Sequence, residues 1–114
     1  MNSNPYFEPT GATVLVAGAT TAPTGELTAH GAFNNEGGYM LTNVSSSIPA
    51  FVAFGSSGAA AAAAAVFPIA GTGKAGVIVA PLQSIFIRAA ANQYVSAITA
   101  SSTAAVYVTP GRFR

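Results

Sequence analysis

From Gly11 onward the chain is a series of short apolar runs separated by small clusters of Gly, Pro, Asn and Ser. The runs predict strands at Thr13–Ala17, Leu27–Phe33, Tyr39–Val44, Ala50–Phe54, Val77–Ala80, Ser84–Arg88, Tyr94–Thr99 and Ala104–Thr109. Between them lie turn signals such as Pro23-Thr24-Gly25, Asn34-Asn35-Glu36-Gly37-Gly38, Ser45-Ser46-Ser47 and Ser101-Ser102. Ten Val, six Ile and eleven Thr against four Leu favour pleated sheet over helix. Eight short strands at this spacing predict an all-β fold, a compact antiparallel β-sandwich over residues 11–114, preceded by an extended N-terminal arm over residues 1–10. The arm follows from Asn4-Pro5 and Glu8-Pro9, which disfavour regular structure.

The two faces of the strands carry a second message. Ile85 and Ile87 share one face of their strand, and Phe86 and Arg88 the other. Val52 and Phe54 oppose Phe51, and Val77 and Val79 oppose Ile78. A solvated antiparallel sheet alternates apolar with polar, whereas these strands are apolar on both sides. The economical expectation in so small a domain is that another subunit covers one face. Phe51, Phe54, Ile85, Ile87, Ile98 and Val106 are the expected core. The seven alanines Ala59 to Ala65 have high helix propensity, but Gly58 and Pro68 confine the run to a length that is marginal for an isolated helix. With β structure on both sides, it is expected to be extended.

Composition narrows the function. Charged residues make up 6% of the 114, against about 25% in an ordinary globular domain, and the net charge is +1. Twenty-five Ala, eleven Thr and ten Ser take their place. Such a surface is poorly protected against association, so partners are expected to cover much of it. Four basic residues make no nucleic-acid footprint. No apolar stretch reaches the ~20 residues of a membrane-spanning helix, and the N-terminus lacks the pattern of a signal peptide. With no cysteine, disulfides and thiolate metal sites are excluded.

Catalytic signals are equally sparse. Gly71-Thr72-Gly73-Lys74-Ala75-Gly76 matches G-x-G-x-x-G, but a strand follows it rather than a helix, and no acidic residue lies after Glu36. It also fails as a phosphate-binding P-loop, because Ala75 follows Lys74 and Pro68 holds the upstream glycine position. His30 with Glu8, Glu26 or Glu36 is the only possible triad, and no nucleophile elbow accompanies it. A metal site of Glu26, His30 and Glu36 has no characteristic ligand spacing. The chain is therefore expected to be no enzyme and to use no cofactor. Asn43-Val44-Ser45 is a formal glycosylation sequon. Adjacent aromatics in the arm, and two of the four cations around an aromatic at the end, suggest segments that dock on a neighbour. Tyr6, Phe7, Arg112, Phe113 and Arg114 are the expected contact residues.

Three phrases carry a family resemblance: Phe51-Val52-Ala53-Phe54-Gly55, Tyr94-Val95-Ser96-Ala97-Ile98, and Val106-Tyr107-Val108-Thr109-Pro110-Gly111. Over about Asn43 to Gly111 the chain resembles small bacteriophage virion structural proteins of the capsid decoration (cement) type. The alanine run and the basic ending depart from the Ser/Thr alternation and acidic ending of that group. The resemblance implies a jelly-roll-like sandwich that oligomerises; a homotrimer is the first expectation for the oligomer and a dimer the second. It also implies a place on the outer surface of the capsid, with the major capsid protein as partner. A receptor- or carbohydrate-binding virion accessory protein is the alternative, for which Tyr39, Tyr94 and Tyr107 are the available aromatics.

Overall fold

The computed structural model describes residues 7–9, 11–28, 37–66, 76–88 and 94–113. These residues are mostly β, with two antiparallel sheets and one short helix. The elements in chain order are β1 (Phe7–Pro9), β2 (Val14–Gly18), β3 (Glu26–Leu27), β4 (Gly37–Asn43), β5 (Ala50–Gly55), α1 (Gly58–Ala64), β6 (Val77–Val79), β7 (Gln83–Arg88), β8 (Tyr94–Ile98) and β9 (Ala104–Phe113). The expected strands over 13–17, 39–44, 50–54, 77–80, 84–88, 94–99 and 104–109 all form within a few residues of their predicted ends. Of the strand expected at Leu27–Phe33, β3 takes in Leu27 alone and ends there, Thr28 lies beyond it, and residues 29–33 lie outside the described residues.

The first sheet runs in the order β1-β9-β4-β7, with β2 joining β9 along the same edge as β1. Long β9 organises it. Its first half pairs with β2, with Leu15 opposite Tyr107, and its last residues pair with β1, with Glu8 opposite Arg112. Phe7–Pro9, inside the expected arm, is thus a strand of this sheet, and the basic ending is not a tail up to Phe113. The second sheet runs β3-β8-β5-β6. Short connections to β9 and β7 use a left-handed backbone at Ser102 and Leu82, both with φ of 59°.

Both sheets send their alternate residues into one core. Val16, Tyr39, Leu41, Ala104, Val106 and Val108 enter from the first sheet, and Ala50, Val52, Val79, Val95 and Ala97 from the second. Phe54, Ile85 and Ile87 pack on this cluster, and the rings of Tyr39 and Phe54 stack at 4.8 Å. Two buried polar groups are satisfied inside it. The Tyr39 hydroxyl meets the Thr28 hydroxyl at 2.7 Å, and the Asn43 amide donates to Val79 O at 3.0 Å and to Ile48 O at 2.9 Å.

The alanine run corrects the expectation of an extended segment: Gly58–Ala64 is helical. Ser57 caps it, its hydroxyl accepting from the Ala60 amide at 3.0 Å, and the run then follows alanine's intrinsic preference. What the isolated segment lacks, the sheet supplies. α1 lies on the outer side of the second sheet, where Ala64 and Ala65 join Phe51, Ala53, Ala22 and Ile98 in a second apolar cluster. The approach is close enough to require small residues. A Cβ on Gly55 would stand 2.5 Å from the Ala61 amide nitrogen.

Candidate interaction surface

This packing answers the question raised by the two-faced strands, and it answers differently strand by strand: Ile78 on β6, beside Phe51 on the outer side of the second sheet, stays 51% exposed. On β5 and β8 the second apolar side, with Phe51 and Ile98, is covered by the chain's own helix and not by another subunit. On the first sheet, no described element lies over the outward side, except Phe7 at one end.

That outward side is built by register. Leu15, Tyr107, Thr42 and Ser84 form one row across β2, β9, β4 and β7, and Thr109, Met40 and Phe86 form the next. Their inward neighbours Val14, Val16, Leu41, Ile85, Val106 and Val108 belong to the core or pack on it, so alternation turns this set outward. Leu15 is 51% exposed, Phe86 43% and Tyr107 40%. The polar members satisfy one another: the hydroxyls of Thr42 and Ser84 lie 2.8 Å apart, as do those of Thr13 and Thr109. Among the described residues, charge reaches this side only at the corner where Arg88 faces Gly38 across the ladder.

Phe7 extends the surface. Its ring lies over Gly111, where a Cβ would come within 2.5 Å of it, and its centroid is 5.3 Å from that of Phe86. Of the expected contact residues, the structure therefore brings Phe7 to this surface. Arg112 points to the opposite side of the ladder and bonds Glu8, Nε to Oε1, at 3.2 Å. Phe113 continues β9 opposite Phe7, and Tyr6 and Arg114 lie outside the described residues. Leu15 and Met40 were not singled out from sequence. Both β2 and β9 read as apolar throughout, and only the pairing of strands decides which side meets the second sheet.

The other candidates are resolved or set aside. Asn43 is fully buried with its amide in the core hydrogen bonds given above, so the sequon is a structural turn residue. Tyr39 is buried and unavailable to a sugar, which corrects its place among the candidate aromatics. Glu26 is exposed on β3, while His30, Glu36 and residues 71–75 of the glycine motif lie outside the described residues. Among the described residues no group of three His, Asp or Glu side chains gathers to hold a metal ion, and no helix is long and apolar enough to cross a membrane.

No family model, curated protein or solved structure matches the chain.

Proposed function

We propose that the chain is a non-enzymatic decoration (cement) protein of a bacteriophage capsid. In this reading the two sheets form a jelly-roll-like β-sandwich that oligomerises on the outer surface of the head and bridges subunits of the major capsid protein. The observation that carries it is the outward side of the first sheet, where Leu15, Tyr107, Met40 and Phe86 stand together almost without charge. An exposed apolar patch of this kind marks a surface that meets another macromolecule.

Its size bears on the mechanism. Four strands about 4.8 Å apart and seven residues of β4 at about 3.4 Å each give a side of about 450 Å² in projection. A standard stable interface buries about 800 Å² per partner. One copy therefore holds weakly, and retention on a shell comes from several copies bound together, whose contacts reinforce one another. A repetitive lattice of capsid subunits is a partner that offers such multivalency.

The test is direct. Tagged chain added to purified heads that lack it should co-sediment at a fixed ratio to the major capsid protein and raise the temperature at which the shell ruptures. Absence of co-sedimentation, or binding that leaves rupture unchanged, would sink the reading. Truncating residues 111–114 is a poor probe, because residues 111–113 hold β1 and Phe7 in place.

A further inference from the structure

An edge strand presents backbone N–H and C=O groups with no ladder partner, and natural sheets guard such edges by brevity, charge, proline or bulges. Among the described residues there are five edge strands, and four of them are guarded. β1 is three residues long and holds Glu8 and Pro9, β3 is two residues long and holds Glu26, and β6 is three residues long with Pro81 shortly after it. β2 closes onto the second sheet at its end, through the Ala19–Ile98 bridge. β7 is the longest of the five, and its guards stand only at its ends, Pro81 two residues before it and Arg88 as its last residue. It runs six residues in unbroken register with β4, without proline or glycine, and its one charge is its last residue, Arg88. Among the described residues no strand pairs with its other edge.

We propose that β7 pairs antiparallel with β7 of a second copy of this chain, across a two-fold axis that passes beside Phe86. Alternation restricts the register, since only pairs of like parity keep the core-facing sides of both copies on one side of the joined sheet. Centred on Phe86, the pairing sets Ile85 against Ile87 of the second copy and Ser84 against Arg88 of the second copy. The palindrome Ile85-Phe86-Ile87 then matches itself on both sides of the sheet, and each arginine meets a hydroxyl instead of another arginine. A register centred on Ile85 would oppose Gln83 to Ile87 and Leu82 to Arg88, mixing polar with apolar on both sides. The second copy is the occupant that this neutral, self-complementary edge fits, and a two-fold axis is the symmetry such an edge imposes.

The joined sheet is eight strands wide. It merges the two outward sides into one surface of about 900 Å², the scale that one partner buries in a standard interface. The pairing rests on the edge alone and stands apart from the capsid reading. It selects the dimer over the trimer that is the first expectation.

Sedimentation velocity of the full chain over a concentration series tests it. The wild-type chain should form a dimer that dissociates on dilution. Ser84→Lys places a lysine opposite Arg88 of the other copy twice per dimer, and Ser84→Glu places a glutamate there. Cross-strand charge pairs are worth about 0.2–1 kcal/mol each, so two of them weaken or tighten the dimer by about two- to thirtyfold. Both variants lose the same bond to Thr42, and Ser84 is exposed, so a general effect on folding would move them in the same direction. Weakening by lysine together with tightening by glutamate supports the pairing. A monomeric or trimeric wild-type chain overturns it, and so do two variants that shift together or not at all.

Discussion

Replacing Asn43 should cost more than any other single polar change in the described part of the chain. Asn43 ends β4 in the first sheet, and its amide reaches Val79 O on β6 in the second at 3.0 Å. The same side chain donates to Ile48 O and accepts from the Ser45 amide, each at 2.9 Å, closing the turn into β5. Asn43→Ala takes the donor from a fully buried carbonyl, which costs about 1–3 kcal/mol. The two turn bonds are part-buried and water can replace them, so each adds about 0.5–1 kcal/mol. The total, about 2–5 kcal/mol, is a large share of the 5–15 kcal/mol typical of a native domain. In urea unfolding followed by circular dichroism, the midpoint should fall by roughly 1–3 M with an unchanged slope. Asn43→Asp sharpens the test, because it keeps the shape and the bond from Ser45 but loses both donors and turns a carboxylate toward two carbonyl oxygens. It should cost at least as much as alanine. An aspartate variant within about 0.5 kcal/mol of wild type would refute the reasoning, since ordinary surface changes fall in that range.

Three further outcomes follow from the packing. Ala61→Leu adds three carbons where α1 sits on the second sheet and should cost about 1–3 kcal/mol, while Ala63→Leu on the exposed side of the same helix should be nearly neutral; thermal melts of the pair check this. Gly111→Ala puts a methyl within 2.5 Å of both Glu8 O and the Phe7 ring, so β1 should detach, visible as faster hydrogen exchange at the Glu8 and Arg112 amides with the central β4 amides unchanged. Leu82→Asn should stabilise by about 0.5–1 kcal/mol, because Leu82 holds a φ of 59° that asparagine tolerates better and its side chain is 69% exposed.

Much of the sheet architecture was legible in the sequence because β-branched runs and turn residues act locally. The alternation at Ser84–Arg88 correctly assigned Ile85 and Ile87 to the core side and Phe86 to the other. The helix was not legible, because its stability comes from a surface, Phe51 and Ala53 on β5, that exists only after the second sheet forms. A run of alanines is equally compatible with a strand until something approaches so closely that nothing larger fits. Strand β1 was hidden for a similar reason. Prolines at 5 and 9 speak against regular structure, yet a three-residue edge strand tolerates Pro9, and the Glu8–Arg112 register lies across nearly the whole chain. The interaction surface was half visible. Two-faced apolarity pointed to burial beyond the single sheet, but whether the chain's own helix or another molecule provides it depends on topology. On the second sheet α1 covers Phe51 and Ala53 on β5 and Ile98 on β8 while Ile78 on β6 stays 51% exposed, and the first sheet leaves its outward side open.

The measurement closest to the central claim is occupancy on purified heads for a chain whose outward side has been charged. Leu15→Lys combined with Tyr107→Lys puts two cations side by side on that surface, on residues already exposed, and leaves the core untouched. Ala63→Lys on the exposed side of α1 is the matched control. The account predicts that the double variant folds, by its circular dichroism and melting, and loses most of its occupancy, while the control binds like the wild-type chain. Full occupancy by the double variant would contradict the claim that this side of the sheet is the docking surface.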